Sequence, residues 1–519
     1  PGSFGTLPSP NAALLASTAL AAREARLWLS FTGTSDGDIT EGEVTVRLVE
    51  TGQEWVIPIS SNTIDRPSVA VVMVLDQSGS MQFASGLPGF ATRNDVLKFA
   101  APVFVNLIQE DNGIGIVAFD HDPYDRMAVQ TVGPPGPFDP ARATALGVIA
   151  AHAPNPAGDT AIGDGVENAH NMLTATVGFD SQATVVFTDG HETASKYIAE
   201  VAPLINERVF AIALGTADQI QPIALTALTN GTGGYLYLTG VVGPDDLFLL
   251  SKYYLQVLAG VTNHDIVRDP QGAIKPGQKH RIDFDLNEAD IGVDGILLGE
   301  TNLPVFRFAL ETPAGDLIDP AVAAATAGAS YTTAQGVSFY RLTLPVPIGA
   351  AGARAGKWHA VLTVDDAYYK RYLAKLDNYP ELYQQVKAHG VRYSLSIHSY
   401  SGIRLQPRLT QNSQEPGATL TVRAVLTEYG IPIGAGRATV RAEFERPDGT
   451  AGLLALTETE PDSGIYTAST AAPLSGVYPF RVLANGKTLR GRNFTREHLL
   501  TGAVWKGGDN PLPTGKDNP

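Results

Sequence analysis

Residues 69–75, Val-Ala-Val-Val-Met-Val-Leu, form an unbroken apolar run, and no other feature restricts this chain more. Such a run does not suit a sheet with one wet face, where apolar and polar side chains alternate. It suits a strand buried on both faces, as in a parallel sheet covered by helices. Comparable runs recur at 114–119, 184–187 and 209–214. Helix-period stretches lie between them at 95–108, 140–151, 159–175 and 194–206. A closing amphipathic helix is read at 245–259, with Pro244 and two Asp residues suited to its first turn. Strand and helix alternate, so residues 67–261 are predicted to form a doubly wound, Rossmann-like α/β domain.

The rest of the chain has a different period, which makes the protein multidomain. Residues 26–31 and 43–59 alternate apolar with polar side chains (Val44, Val46, Leu48; Trp55, Ile57, Ile59) and read as strands. They are too few to fold alone. Residues 1–66 are therefore expected to complete a β-sandwich with strands that follow Asn263, making the α/β domain an insertion. Short strands spaced by Gly, Pro and Asp then predict a β-sandwich over 262–402, with a helical excursion at 366–389 broken at Pro380. A second, Ig-like all-β sandwich is predicted over 403–490, and 491–519 is read as a C-terminal tail. The 53 Gly and 35 Pro of the 519 residues fit this many turns.

Lys and Arg number 37 against 53 Asp and Glu, a formal charge of −16, which argues against nucleic acid as a partner. There is no cysteine, so disulfides, thiolate metal sites and cysteine nucleophiles are excluded. No apolar run approaches the roughly 20 residues of a membrane span. Residues 12–22 are apolar but lack the basic flank of a signal peptide.

The first buried run leads directly into Asp76-Gln77-Ser78-Gly79-Ser80-Met81. Ligands of open α/β sheets bind outside the carboxyl ends of the strands. There, D-x-S-x-S offers one carboxylate and two hydroxyls on a loop that Gly79 allows to turn tightly. Oxygen donors with little formal charge suit a hard divalent cation, Mg²⁺ above all. Alone, the pentad could also be a Ser-rich turn that caps the next helix. Two further pieces belong to the same sheet edge: Gly158-Asp159-Thr160, which opens a helix, and Thr188-Asp189-Gly190, which ends a later buried strand.

With these three pieces, residues 67–261 resemble the von Willebrand factor A (VWA) family, whose metal-ion-dependent adhesion site is built from D-x-S-x-S, a downstream Thr and a later Asp. The resemblance implies that Asp76, Ser78, Ser80, Thr160 and Asp189 hold Mg²⁺ or Mn²⁺, with Ca²⁺ as a further option. It also implies that an acidic side chain of a partner takes the open coordination position. Gln77, Met81, Asp120, His121, Asp159 and His191 are the expected ligand-binding rim.

Other motifs point elsewhere less well. His191-Glu192-Thr193-Ala194-Ser195 lacks the second His of a zinc protease, and Ser78 lacks the flanking glycines of a hydrolase nucleophile. The acidic turns at 36–38 and 285–294 lack calcium-loop spacing. An enzyme is not expected. The expected function is metal-dependent protein binding or adhesion, outside the cell, in the periplasm or at the cell surface. Chloride-channel accessory proteins and some bacterial surface proteins share this order of an A domain followed by β-rich domains. The alternative is an intracellular scaffold working with an ATPase or chaperone complex.

Overall fold

The computed structural model describes residues 37–510 apart from 64–65, 137, 221, 335 and 350–351. They divide into two compact units, one up to Pro67 and one from Ser68 onward. The strand read at 26–31 and the turn at Asp36 lie outside the described residues, as does the chain beyond 510.

In the first unit, β1 (Ile39–Arg47) and β2 (Glu54–Asn62) form an antiparallel hairpin with Val44 opposite Ile57 and Val46 opposite Trp55. The alternation in the sequence is thus a real strand signal. The shared sheet expected with residues after Asn263 does not form, because among the described residues the hairpin is a two-stranded sheet of its own. The first strand after Asn263, Asp265–Arg268, is flanked by Val391–Ser401 and Asn493–Val504.

In the second unit the predicted α/β sheet is present. Its strands are β3 (Val69–Asp76), β4 (Gly113–Phe119), β5 (Pro123–Thr131), β6 (Ser181–Thr188), β7 (Arg208–Ala213) and β8 (Leu236–Leu238). They lie in the order β5-β4-β3-β6-β7-β8, parallel except for β5. β3 is buried along its whole length, as its composition required. The helix Arg93–Leu107 starts where Thr92 and Asp95 form a reciprocal capping box, and Pro140–Ala150 starts at Asp139 with Pro140 at its first position. The closing helix runs over Leu249–Val261, and a single 3₁₀ turn, Pro244–Asp246, precedes it.

The remaining chain is β-rich with several sheets. A four-stranded sheet carrying Phe284, Phe308 and Trp358 faces part of a 14-stranded sheet carrying Leu297, Tyr340 and Ile397, and these residues share one core. The predicted helical excursion is two helices, Asp366–Lys375 and Pro380–His389, divided at Pro380. The two β regions are not separate. Asn493–Val504, which the sequence reading had placed in a tail, is a central strand pairing Gly476–Lys487 on one side and Asp265–Arg268 on the other. Its charged middle is buried because Arg496 pairs with Asp290 at 2.7 Å and Glu497 with Arg481 at 2.7 Å.

The same β region fastens the α/β sheet. Arg341 Nη2 donates to Leu107 O at the end of the first helix, Arg408 Nη1 donates to Gly234 O, and Thr501 Oγ1 donates to Leu236 O while accepting from Leu238 N. Ile296, Leu298 and Phe339 join the core that lies under Leu75 and Phe104. Burying apolar area this way favours a fixed mutual orientation over a flexible tether.

Candidate metal centre

β3 lies between β4, which follows it in sequence, and β6, which comes much later. The loops leaving β3 and β6 therefore separate at this point, the switch point at which open α/β sheets bind ligands. Asp76, the last residue of β3, is fully buried, and its Oδ1 accepts a hydrogen bond from Ser78 N at 2.8 Å, which turns the chain sharply. The single 3₁₀ turn Gly79–Gln82 follows. Ser78 Oγ and Ser80 Oγ stand 3.1 Å apart, and Ser80 Oγ donates to Asp189 Oδ1 at 2.6 Å. Thr188 Oγ1 donates to Asp76 Oδ2 at 2.7 Å, which links the β6 loop to the β3 loop from the other side.

The third loop is held by its backbone. Gly158 adopts φ +89°, a conformation that glycine accepts without cost, and its carbonyl accepts from Gly79 N at 3.1 Å. A Cβ there would also press on Asp120 Cβ at 3.3 Å. Ala157 N donates to Gln77 O. Thr160, 5% exposed, is clamped by Thr193: Thr160 N donates to Thr193 Oγ1 at 2.9 Å and Thr160 O accepts from Thr193 N at 3.0 Å. Among the described residues its hydroxyl has no hydrogen-bond partner.

The electrostatics explain what such a cluster lacks. Burial first, and then the neighbouring Asp189, push the Asp76 carboxyl up to about 7, against the hydrogen bonds from Ser78 and Thr188. Asp189 is raised by burial too, although Ser80 and Arg93 oppose the shift. Arg93 Nη1 reaches both Asp189 Oδ2 and Asp189 O at 3.0 Å. Asp76 has only neutral hydrogen-bond partners. Of the two buried carboxylates only Asp189 has a cationic partner, Arg93, and a further positive charge beside Asp76 would relieve both. No group of three or more His, Cys, Asp or Glu gathers among the described residues, so any ion here would rely on two carboxylates and three hydroxyls. That all-oxygen set fits a hard divalent cation.

The expected rim divides. Gln77 and Asp120 lie together, Gln77 Nε2 donating to Asp120 Oδ2 at 2.6 Å. His121 and Asp159 are exposed and face each other at 3.7 Å, and His191 Nδ1 lies 2.9 Å from Gln219 O. Met81 is corrected: it is fully buried in the core with Leu75 and Leu97, so it offers nothing to a ligand. Sequence reasoning missed Arg93 and Thr193, which act across 96 and 33 residues, and His152, whose Nε2 meets Asp76 O at 2.9 Å. It quoted Thr188 without its role, although a hydroxyl beside the carboxylate of Thr188-Asp189 was a visible signal.

The chain matches the family model of the von Willebrand factor type A domain over residues 70–238. No curated protein matches it. Similar solved structures include a von Willebrand factor type A protein from Catenulispora acidiphila at 13% identity and TM-score 0.31, covering 77% of this chain and 72% of that one. The PilB minor pilin from Streptococcus sanguinis gives 15% identity and TM-score 0.31, covering 43% and 78%. Proximal thread matrix protein 1 of the mussel byssus, with a zinc-occupied MIDAS motif, gives 19% identity and TM-score 0.30, covering 37% and 45%. At these TM-scores the likenesses add no weight to the site. The family match, on strands and loops whose order is now established, identifies residues 70–238 as a von Willebrand factor type A domain.

Proposed function

We propose that this chain is a metal-dependent protein-binding or adhesion protein whose VWA domain engages an acidic group of a partner through a divalent cation, Mg²⁺ or Mn²⁺. The supporting observation is the buried pair Asp76 and Asp189, of which only Asp189 is paired with a cation, the guanidinium of Arg93. Asp76, Ser78, Ser80, Thr160 and Asp189 would hold the ion, which supplies a Lewis-acidic position for a partner's carboxylate oxygen. The protein's own contribution is to hold two buried carboxylates and the hydroxyls of Ser78 and Ser80 together before binding, so that little ordering remains to be done when a partner arrives.

The β-rich region, including its Ig-like second half, would act as a rigid mount for that face. This supports a place outside the cell, in the periplasm or at the cell surface by fold-level analogy. No described helix is long and apolar enough to cross a membrane. The role proposed is binding, without catalysis. The test is to pan immobilised protein against a random-peptide display in Mg²⁺ and in EDTA. Acidic sequences recovered only in Mg²⁺ are expected, and enrichment that survives EDTA contradicts the reading.

A further inference from the structure

A cleft of about 450 Å³ opens beside the candidate metal centre and shares a wall with it, because Gln77, the second residue of D-x-S-x-S, lines both. Its polar wall is a fixed network. Arg126 Nη2 donates to Gln77 Oε1 at 2.9 Å, Gln77 Nε2 donates to Asp120 Oδ2, and Tyr124 OH donates to Asp120 Oδ1 at 3.2 Å. Arg126 also stacks over the Tyr124 ring at 4.9 Å. The rest of the lining is largely small and apolar, with Val148, Ala151, Pro154 and Ala157, and also carries the polar Asn155 and His152.

The charges on this wall are unequal in what they still offer. Asp120 accepts at both oxygens, from Gln77, Tyr124 and the backbone N of Asp122. Arg126 is exposed, and of its five N–H groups only Nη2 has a hydrogen-bond acceptor among the described residues. It forms no ion pair there within 4.0 Å. His152 is buried and its Nε2 is engaged with Asp76 O at 2.9 Å. Among the described residues Arg126 is the one arginine or lysine lining the cleft, held in place by stacking and by Gln77, with its remaining donors available to a ligand.

We propose that this cleft is a specificity pocket for a second acidic side chain of the partner, received by Arg126 while the first carboxylate is bound at the metal. This deepens the proposed function and rests on its metal-dependent reading. The partner's segment would carry two acidic residues a short distance apart. The aliphatic stem of the second would pack on the apolar lining, and its carboxylate would meet the guanidinium. A basic residue there would face Arg126 and is rejected, so the pocket selects by repulsion as well as attraction.

The experiment is a synthetic peptide array with a fixed central Asp and each residue type at every flanking position. It is probed with the full chain, with Arg126→Ala and with Arg126→Glu, in Mn²⁺ and in EDTA. Calorimetry with Mn²⁺ alone checks that each variant still folds and binds metal as the parent does. The parent should retain peptides with a second acidic residue roughly fivefold better than their Ala counterparts. Arg126→Ala should lose that preference, and Arg126→Glu should turn it toward Lys and Arg. Mn²⁺-dependent retention without a second-acid preference, or a preference unchanged in Arg126→Ala, overturns the pocket and leaves the metal reading intact. Peptides that fail to bind although Mn²⁺ does also overturn it. Retention equal in EDTA overturns the metal reading itself.

Discussion

Replacing Asp76 by Asn should stabilise the metal-free protein while abolishing metal binding. The buried carboxyl is pushed from 3.8 to about 7, chiefly by burial and then by Asp189. Each unit is worth about 1.4 kcal/mol, so keeping the ionised group in place costs the fold up to about 4 kcal/mol above pH 7. Asn can inherit the hydrogen bonds. Its Oδ1 accepts from Ser78 N as Asp76 does, and its Nδ2 donates to Thr188 Oγ1, whose own proton still has Gly190 O at 3.1 Å. A net gain of about 3 kcal/mol is expected after imperfect fit. The sign follows from a folded pKa above the unfolded one. Below pH 3.8 the carboxyl is neutral in both states and costs nothing, and the cost grows as pH rises towards 7. Thermal unfolding in EDTA at pH 4 and pH 8 is the assay. The variant should match the parent at pH 4. At pH 8 it should exceed it by about 3 °C if the roughly 450-residue unit unfolds as one, or about 8 °C if the α/β domain melts alone. Adding Mg²⁺ should then raise the parent's Tm and leave the variant's unchanged. A variant less stable than the parent in EDTA at pH 8, or a difference independent of pH, refutes the reasoning.

Arg142→Met tests the packing behind the site. The buried guanidinium donates to Val105 O and Ile108 O at 2.6 Å and to Gly133 O at 2.8 Å, closing the end of the helix that begins with Arg93, and its loss should cost about 3–5 kcal/mol in chemical denaturation. Arg341→Leu tests the mount. Asp294 would be raised by burial were it not for Arg341, which holds it below the usual carboxylate range, so the substitution strands a buried charge and breaks the bond to Leu107 O. A loss of about 3–5 kcal/mol is expected near pH 7, shrinking as pH falls and Asp294 is protonated; a loss under 1 kcal/mol contradicts the fastening.

What the sequence revealed depended on how local the cause was. The buried strands of the α/β sheet were legible because burial on both faces leaves an unbroken apolar run, and the helix break at Pro380 was legible because proline acts on its own turn. The strand Asn493–Val504 was not, because Thr495, Arg496, Glu497 and His498 resemble a solvated segment. Their burial depends on Asp290 and Arg481, which lie far away in sequence or on the neighbouring strand. Met81 misled for the opposite reason, since a residue beside two functional serines turns inward within one 3₁₀ turn. The motifs show the candidate ligands only as loop residues at one sheet edge, whereas the hydrogen bonds that join Ser78, Ser80 and Asp189 depend on the fold. The side chains that position them, Arg93 and Thr193, carry no motif that would reveal them.

The central claim is that the carboxylates and hydroxyls at the ends of β3 and β6 form a divalent-cation site. It is tested most directly by calorimetric titration of the full chain with Mg²⁺ and Mn²⁺, beside Asp76→Ala and Asp189→Ala. One site per chain is predicted in the parent, with binding lost in both variants while their folded spectra are retained. Equal affinity in the parent and in Asp76→Ala, or no binding by the parent, would contradict it.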